Sequence, residues 1–195
     1  GKYHNSASGG TGWTSWIEFS TNFTIDTTAP TISISCGDNG FSKGAVTVNY
    51  ADNYAVASAV YSRSTNGTYP TSATTSFSNG ASFTDEGNYT VKVTDKAGNV
   101  TTKHFTIDKT APTLSLSGVS NGGFTNGSVS FTWNTGYTYV TSNRANTNDA
   151  LTVKYSYSTT GSFPTTASTT YSSGTSLTTA GNYRVTITDK AGNST

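Results

Sequence analysis

Acidic side chains are scarce in this chain, 10 Asp and Glu among 195 residues, and self-comparison sorts the few that recur from the rest. "TDKAGN" occurs at 94–99 and again at 188–193, and "ID" two residues ahead of "TAPT" occurs at 25–31 and again at 107–113. Asp26 and Asp95 in one copy, and Asp108 and Asp189 in the other, are therefore the carboxylates present in both. Carboxylate oxygens with nearby backbone carbonyls are what a hard cation takes, so calcium is the metal these four would hold at a junction between units. No DxD or DxNDN run accompanies them. In the simpler alternative Asp95 and Asp189 cap their turns and Asp26 and Asp108 are solvated.

A second candidate is "GYTYVTSNRANTNDA" (136–150), where the later copy carries about a dozen residues that the earlier one lacks. Tyr137 and Tyr139 could stack on a sugar while Arg144 and Asp149 bond its hydroxyls, and long loops on rigid scaffolds are where binding concentrates. The alternative is a loop without a ligand. Enzyme signatures are missing: there is no Gly-rich phosphate loop and no HExxH. The two histidines are His4 and His104, and His104, beside Phe105 in a strand pattern, reads as a sandwich-edge residue. Asp85–Glu86 becomes Thr179–Ala180 in the second copy, so no active site is repeated and a non-enzymatic chain is expected. Lys96 and Lys190 fall in an exposed turn, the wrong place for an isopeptide bond. Cys36 aligns with Gly118 and is expected to be a bystander thiol. Six N-x-S/T sequons, at Asn22, Asn66, Asn88, Asn99, Asn126 and Asn193, are expected by chance in a chain so rich in Thr.

The elements that must position these residues follow from composition. Thr (40) and Ser (28) make up over a third of the chain, while Leu (4), Glu (2) and Met (none) nearly exclude helix. Thr, Val, Ile, Tyr and Phe favour strands, which predicts an all-β fold. A net charge of +1 with 11% charged residues lacks the basic footprint of a nucleic-acid binder. No run of 18 apolar residues is present, so no helical membrane insertion is expected. One cysteine cannot build an internal disulfide. Without Met or a leader-like segment, the sequence is expected to be an excerpt or processed piece of a longer chain, and its polar, Lys-poor surface suits export.

Tyr61–Asn99 aligns without gaps to Tyr155–Asn193 with 23 identities in 39 positions, and Asp26 and Asp108 are 82 residues apart. That period is the size of a small sandwich domain. Apolar residues alternate at period two in 31–35, 45–50, 58–62, 81–84, 88–94 and 103–108, bounded by Gly, Asn and Pro, which predicts short antiparallel strands. Tyr89 and Tyr183, in "GNYxVxxT", stand where an immunoglobulin-like sandwich has its tyrosine corner. "TDKAGN" is then the reversal between the last two strands, and Pro30 and Pro112 stiffen the linkers.

Tandem units that open with "IDxTAPTxSxS" and close with "GNYxVxxTDKAGN" resemble the bacterial Ig-like repeats of large surface proteins and adhesins, over Ile25–Asn193. The resemblance implies tandem immunoglobulin-like antiparallel β-sandwiches in a stalk or fibre outside the cell, on its surface or secreted, some members of which bind glycan or calcium. The expected units are 27–108 and 109–195, preceded by 1–26, which ends in the final strand of an earlier or neighbouring unit. "WIEFSTNFTID" (16–26) shares "FTID" with "VTTKHFTID" (100–108) and alternates as one strand with a buried face. The second unit lacks that final strand. Either the sequence is a window on a longer repeat protein, or 16–26 completes the second unit of another copy, head to tail. The expected partners are neighbouring repeats or copies of the chain itself, and host or environmental glycans. The alternative function is a carbohydrate-binding accessory module of an adhesin or secreted glycosidase, working through 136–150.

Overall fold

The computed structural model describes residues 2–3, 17–18, 20–134 and 151–195, and the loop residues Tyr137, Tyr139, Arg144 and Asp149 lie outside them. The described residues are all-β, with no helix. A short antiparallel ladder joins β1 (Lys2–Tyr3) to β2 (Ile17–Glu18).

Two sheets enclose the first hydrophobic core. One carries β3 (Thr31–Ile34), β5 (Val46–Ala51) and β8 (Ala81–Phe83), in the order β3-β5-β8. The other has β4 (Gly40–Ser42), β6 (Val56–Ser64), β7 (Thr75–Ser76), β9 (Gly87–Asp95) and β10 (Val100–Ile107), in the order β4-β10-β9-β6-β7. Period-two alternation sends Ile32 and Ile34, Val46 and Val48, Tyr89, Val91 and Val93, and Phe105 and Ile107 inward to one cluster. Phe105 stacks on Tyr89 with ring centroids 4.6 Å apart and planes 6° from parallel. Burying each such side chain contributes about 1.5–3 kcal/mol, so β9 and β10 anchor this half of the molecule.

One pairing departs from the expected all-antiparallel order. β4 runs parallel to β10, Phe41 facing Thr106. The reason is a change of sheet just after β3: a turn with positive φ at Gly37 (83°) and Asn39 (56°) lifts the chain off the three-stranded sheet and onto the five-stranded one. Gly40 completes that step, because a Cβ there would lie 1.9 Å from the Cys36 carbonyl oxygen.

A second cluster gathers Phe131, Val153, Tyr171, Leu177 and Ile187. Around it stand the pair β11 (Thr113–Ser117) and β12 (Ser130–Asn134), and a sheet of order β14-β13-β15, formed by β13 (Thr152–Ser158), β14 (Thr169–Thr170) and β15 (Asn182–Thr188). Thr195 exchanges both backbone hydrogen bonds with Ile187, N–H to O at 2.9 and 3.0 Å. Among the described residues, nothing pairs with that edge of β15 over 182–186.

Of the segment 16–26, expected to be the final strand of an earlier or neighbouring unit, Ile17–Glu18 is strand, and residues 20–26 pair with nothing among the described residues. Phe23 is 80% exposed and Ile25 75%, whereas Phe105 and Ile107 in the same "FTI" triplet are fully buried. Alternation says which side chains a sheet would bury. It does not supply the sheet. His104 is not at an edge: β10 lies between β4 and β9, and the imidazole stacks on Tyr69 (4.7 Å) with Nδ1 3.0 Å from the Thr90 hydroxyl.

Candidate functional site at the two joints

The repeated "TDKAGN" forms the turn after β9 and its counterpart after β15. In the first copy Asp95 accepts the Asn99 N–H at 2.8 Å on one oxygen and the Asn99 Nδ2 amide at 2.7 Å on the other. Gly98 takes φ of 97°, which closes the turn without strain only because it has no side chain. The second copy repeats this at 2.9 Å for both bonds between Asn193 and Asp189.

Held this way, each asparagine points its second amide hydrogen at the linker. Asn99 Nδ2 donates to the Asp26 carbonyl at 3.1 Å, and Asn193 Nδ2 donates to the Asp108 carbonyl at 2.9 Å. Two residues beyond each asparagine, a hydroxyl adds a further bond: Thr101 Oγ1 to the carbonyl of Pro30, and Thr195 Oγ1 to that of Pro112. Both prolines are fully buried. The turn is thus a latch on the chain that enters its own half of the molecule. The tyrosines repeat too, Tyr89 and Tyr183 donating to the carbonyls of Asp85 and Thr179, each at 2.7 Å, as a tyrosine corner requires.

The two joints differ in their charges. At the first, one carboxylate oxygen each from Asp26, Asp52 and Asp95 lie within 4.8 Å of one another. Two oxygens sharing one calcium ion lie at most about 5 Å apart, so the spacing fits that cation. Asp26 Oδ1 accepts from Thr28 N–H (3.0 Å) and Asn53 Nδ2 (3.2 Å). Asp52 Oδ2 accepts from the N–H groups of Tyr54 (3.0 Å) and Ala55 (2.9 Å), while its Oδ1 is buried and accepts nothing. Burial pushes the Asp95 carboxyl up, but the Asn99 amide and the N–H groups of Asn99, Gly98 and Ala97 outweigh it and hold it below the usual range. Asp26 and Asp95 are thus brought together as the sequence suggested. Asp52 was missed, because selecting carboxylates that recur in both copies discards one that does not.

At the second joint Asp108 and Asp189 meet Glu86 instead. Burial, assisted by the negative charges of Asp189 and Glu86 and opposed by the Thr110 N–H, pushes Asp108 up to about 7. Glu86 moves the other way. Burial raises it, but the Thr110 hydroxyl (2.8 Å), the Lys109 N–H (3.0 Å) and a hydrogen bond from Asp108 prevail, and it stays ionised. Below about pH 7 Asp108 therefore carries a proton, which it donates in a hydrogen bond to the ionised Glu86. Across the same joint Lys43 Nζ donates to the Gly192 carbonyl at 2.9 Å, and Lys190 Nζ stands 5.6 Å over the Phe41 ring.

Among the described residues, neither joint presents a nucleophile paired with a base. What they can do is fix backbone against backbone and, at the first, hold a cation. No protein-family model and no curated protein matches this sequence.

Proposed function

We propose that the chain is a spacer: two immunoglobulin-like sandwiches in tandem, 27–108 and 109–195, in the stalk of an extracellular bacterial surface protein. The observation that carries this reading is the recurrence of one latch at both joints, an amide of "TDKAGN" bonded to the carbonyl of the preceding linker aspartate. A chain selected for a binding surface has no need to fix the linker entering each unit by the same device, whereas a stalk needs every joint to resist bending. The paired tyrosine corners and the two hydrophobic cores support the domain assignment. Calcium at Asp26, Asp52 and Asp95 would neutralise two of the three carboxylate charges and tie the linker to two loops of the first sandwich.

The test is rotational. Backbone 15N relaxation should show residues 27–108 and 109–195 tumbling with one correlation time, and Asn193→Ala should give each its own, shorter time. Independent tumbling in the unaltered chain would sink the stalk reading.

A further inference from the structure

We infer that the second joint is a pH-dependent clamp: Glu86 grips the linker residues 108–110 while Asp108 is protonated and releases them once Asp108 ionises. The angle between the two halves is then held in mild acid and freed in mild alkali. This goes beyond the stalk reading, and rests on it for the division into two halves.

The grip converges on one side chain. Glu86 Oε1 accepts the Lys109 N–H at 3.0 Å and the Thr110 hydroxyl at 2.8 Å, and the carboxyl of Asp108 donates to the same carboxylate. Three successive linker residues are thus tied to the short segment between β8 and β9. The Asp108 N–H also donates to the Ser42 carbonyl at 2.9 Å, while Asn193 reaches the Asp108 carbonyl from the other half. Beyond Asp108, Glu86 is therefore what makes residues 109 and 110 follow the first half. The grip is an addition to the repeat. Thr28 N–H bonds Asp26 as Thr110 N–H bonds Asp108, each at 3.0 Å, so the turn at the aspartate is common to both joints. The place of Glu86 in the second half is taken by Ala180, which can grip nothing.

One proton makes the arrangement consistent. Asp108 is 4% exposed, and Glu86 and Asp189, the charges that bear on it, are both negative. The cations on the surrounding elements have other partners. Lys43, after β4, bonds the Gly192 carbonyl, Lys190 lies over Phe41, and Arg63 of β6 donates to the backbone carbonyl of Glu86 at 2.8 Å. Among the described residues, the carboxylates close enough to share a cation are those of the first joint, which leaves a proton between Asp108 and Glu86. As pH rises through about 7, Asp108 gives that proton to water. The hydrogen bond becomes a repulsion between two carboxylates, with Asp189 as a third like charge. Asp108 is buried and pinned by Ser42, whereas Glu86 is partly exposed and can regain water by swinging out. Its departure breaks the bonds to Lys109 and Thr110 together.

The test is a pH titration of the 195-residue chain by NMR, from about pH 5 to about pH 9. The amides of Lys109 and Thr110 should shift together with a midpoint at about 7. Residual dipolar couplings should fit one alignment tensor for both halves below that midpoint, and two of unequal size above it. In Asp108→Asn, whose amide donates to Glu86 without titrating, both signals should keep their acid-side values throughout. Glu86→Gln, at a partly exposed position that tolerates the change, should move the midpoint down by removing one negative charge. Linker amides that do not titrate near 7 overturn the clamp, as does a transition that persists in Asp108→Asn or a midpoint that Glu86→Gln leaves in place. One tensor at every pH would remove the clamp and leave the stalk reading standing. Unequal tensors at every pH would remove both.

Discussion

The two joints are made by one motif and set in opposite electrical states. At the first, three carboxylates stand together, and one oxygen of Asp52 is buried and accepts no hydrogen bond. At the second, Asp108 is pushed up to about 7 and lends its proton to Glu86. The latch is common, Asn99 and Asn193 making the same pair of contacts, so the difference comes from the residues around it. The backbone connection is what the repeat specifies. The compensation of its acidic residues is left to non-repeated neighbours: Asp52 adds a third carboxylate to a cluster that would take a cation at the first joint, and Glu86 accepts a hydrogen bond from Asp108 at the second.

Removing the latch should have the largest effect and should not distinguish the joints. Asn99→Ala takes one donor from Asp95 and one from the Asp26 carbonyl, and Asn193→Ala does the same to Asp189 and Asp108. At about 1–1.5 kcal/mol for each bond lost, either change should cost about 2–3 kcal/mol in urea unfolding. A cost below about 0.5 kcal/mol at one joint only would mean that the motif is decorative there.

Calcium should separate them. Adding it to about a hundred times its dissociation constant should stabilise the chain by about 2.7 kcal/mol, and a chelator should reverse the gain. Asp52→Asn should abolish the response, while Asp189→Asn should leave it intact. A melting-temperature rise that persists in Asp52→Asn would place the cation elsewhere.

Protons should separate them in the other direction. Asp108 binds its proton more tightly when folded than when unfolded, so its contribution to stability is complete below about pH 4. It is lost as pH rises toward 7. Between pH 5 and 8 this should remove about 1–2 kcal/mol after screening, and Asp108→Asn, whose amide can give Glu86 the same hydrogen bond, should flatten the slope. A slope unchanged in Asp108→Asn would assign it to another group.

Much of the fold was legible because its strands are long enough to show their period. "GNYTVKVTD" alternates over nine residues and is β9, and "TISI" is β3. β4 was invisible: three residues, one of them glycine, form a strand only because β10 offers an edge beside them. At Phe23 and Ile25 a clear alternation meets no sheet among the described residues. Asp26 and Asp95 could be found by recurrence, but Asp52 is brought to them by the end of β5, and no spacing in the sequence expresses that approach. Glu86 was discounted because its counterpart is Ala180, yet its difference from that counterpart is what gives the second joint its proton.

The contacts across the second joint lie furthest from sequence reasoning, since Lys43 and the Gly192 carbonyl it bonds are 149 residues apart. They should also have the smallest effect. Lys43 is an exposed cation on a flexible stem, and its single bond to a carbonyl contributes about 0.5–1 kcal/mol at most. Lys43→Ala should therefore barely move the unfolding midpoint. Its effect should appear in the orientation of the halves, because Asn193 holds the linker to its own half, whereas Lys43 reaches from one half to the other. Residual dipolar couplings that report a changed angle between 27–108 and 109–195, with stability within about 0.5 kcal/mol of the parent, would separate what latches the joint from what aims it. An unchanged angle would leave Lys190 over Phe41 as the contact that sets direction.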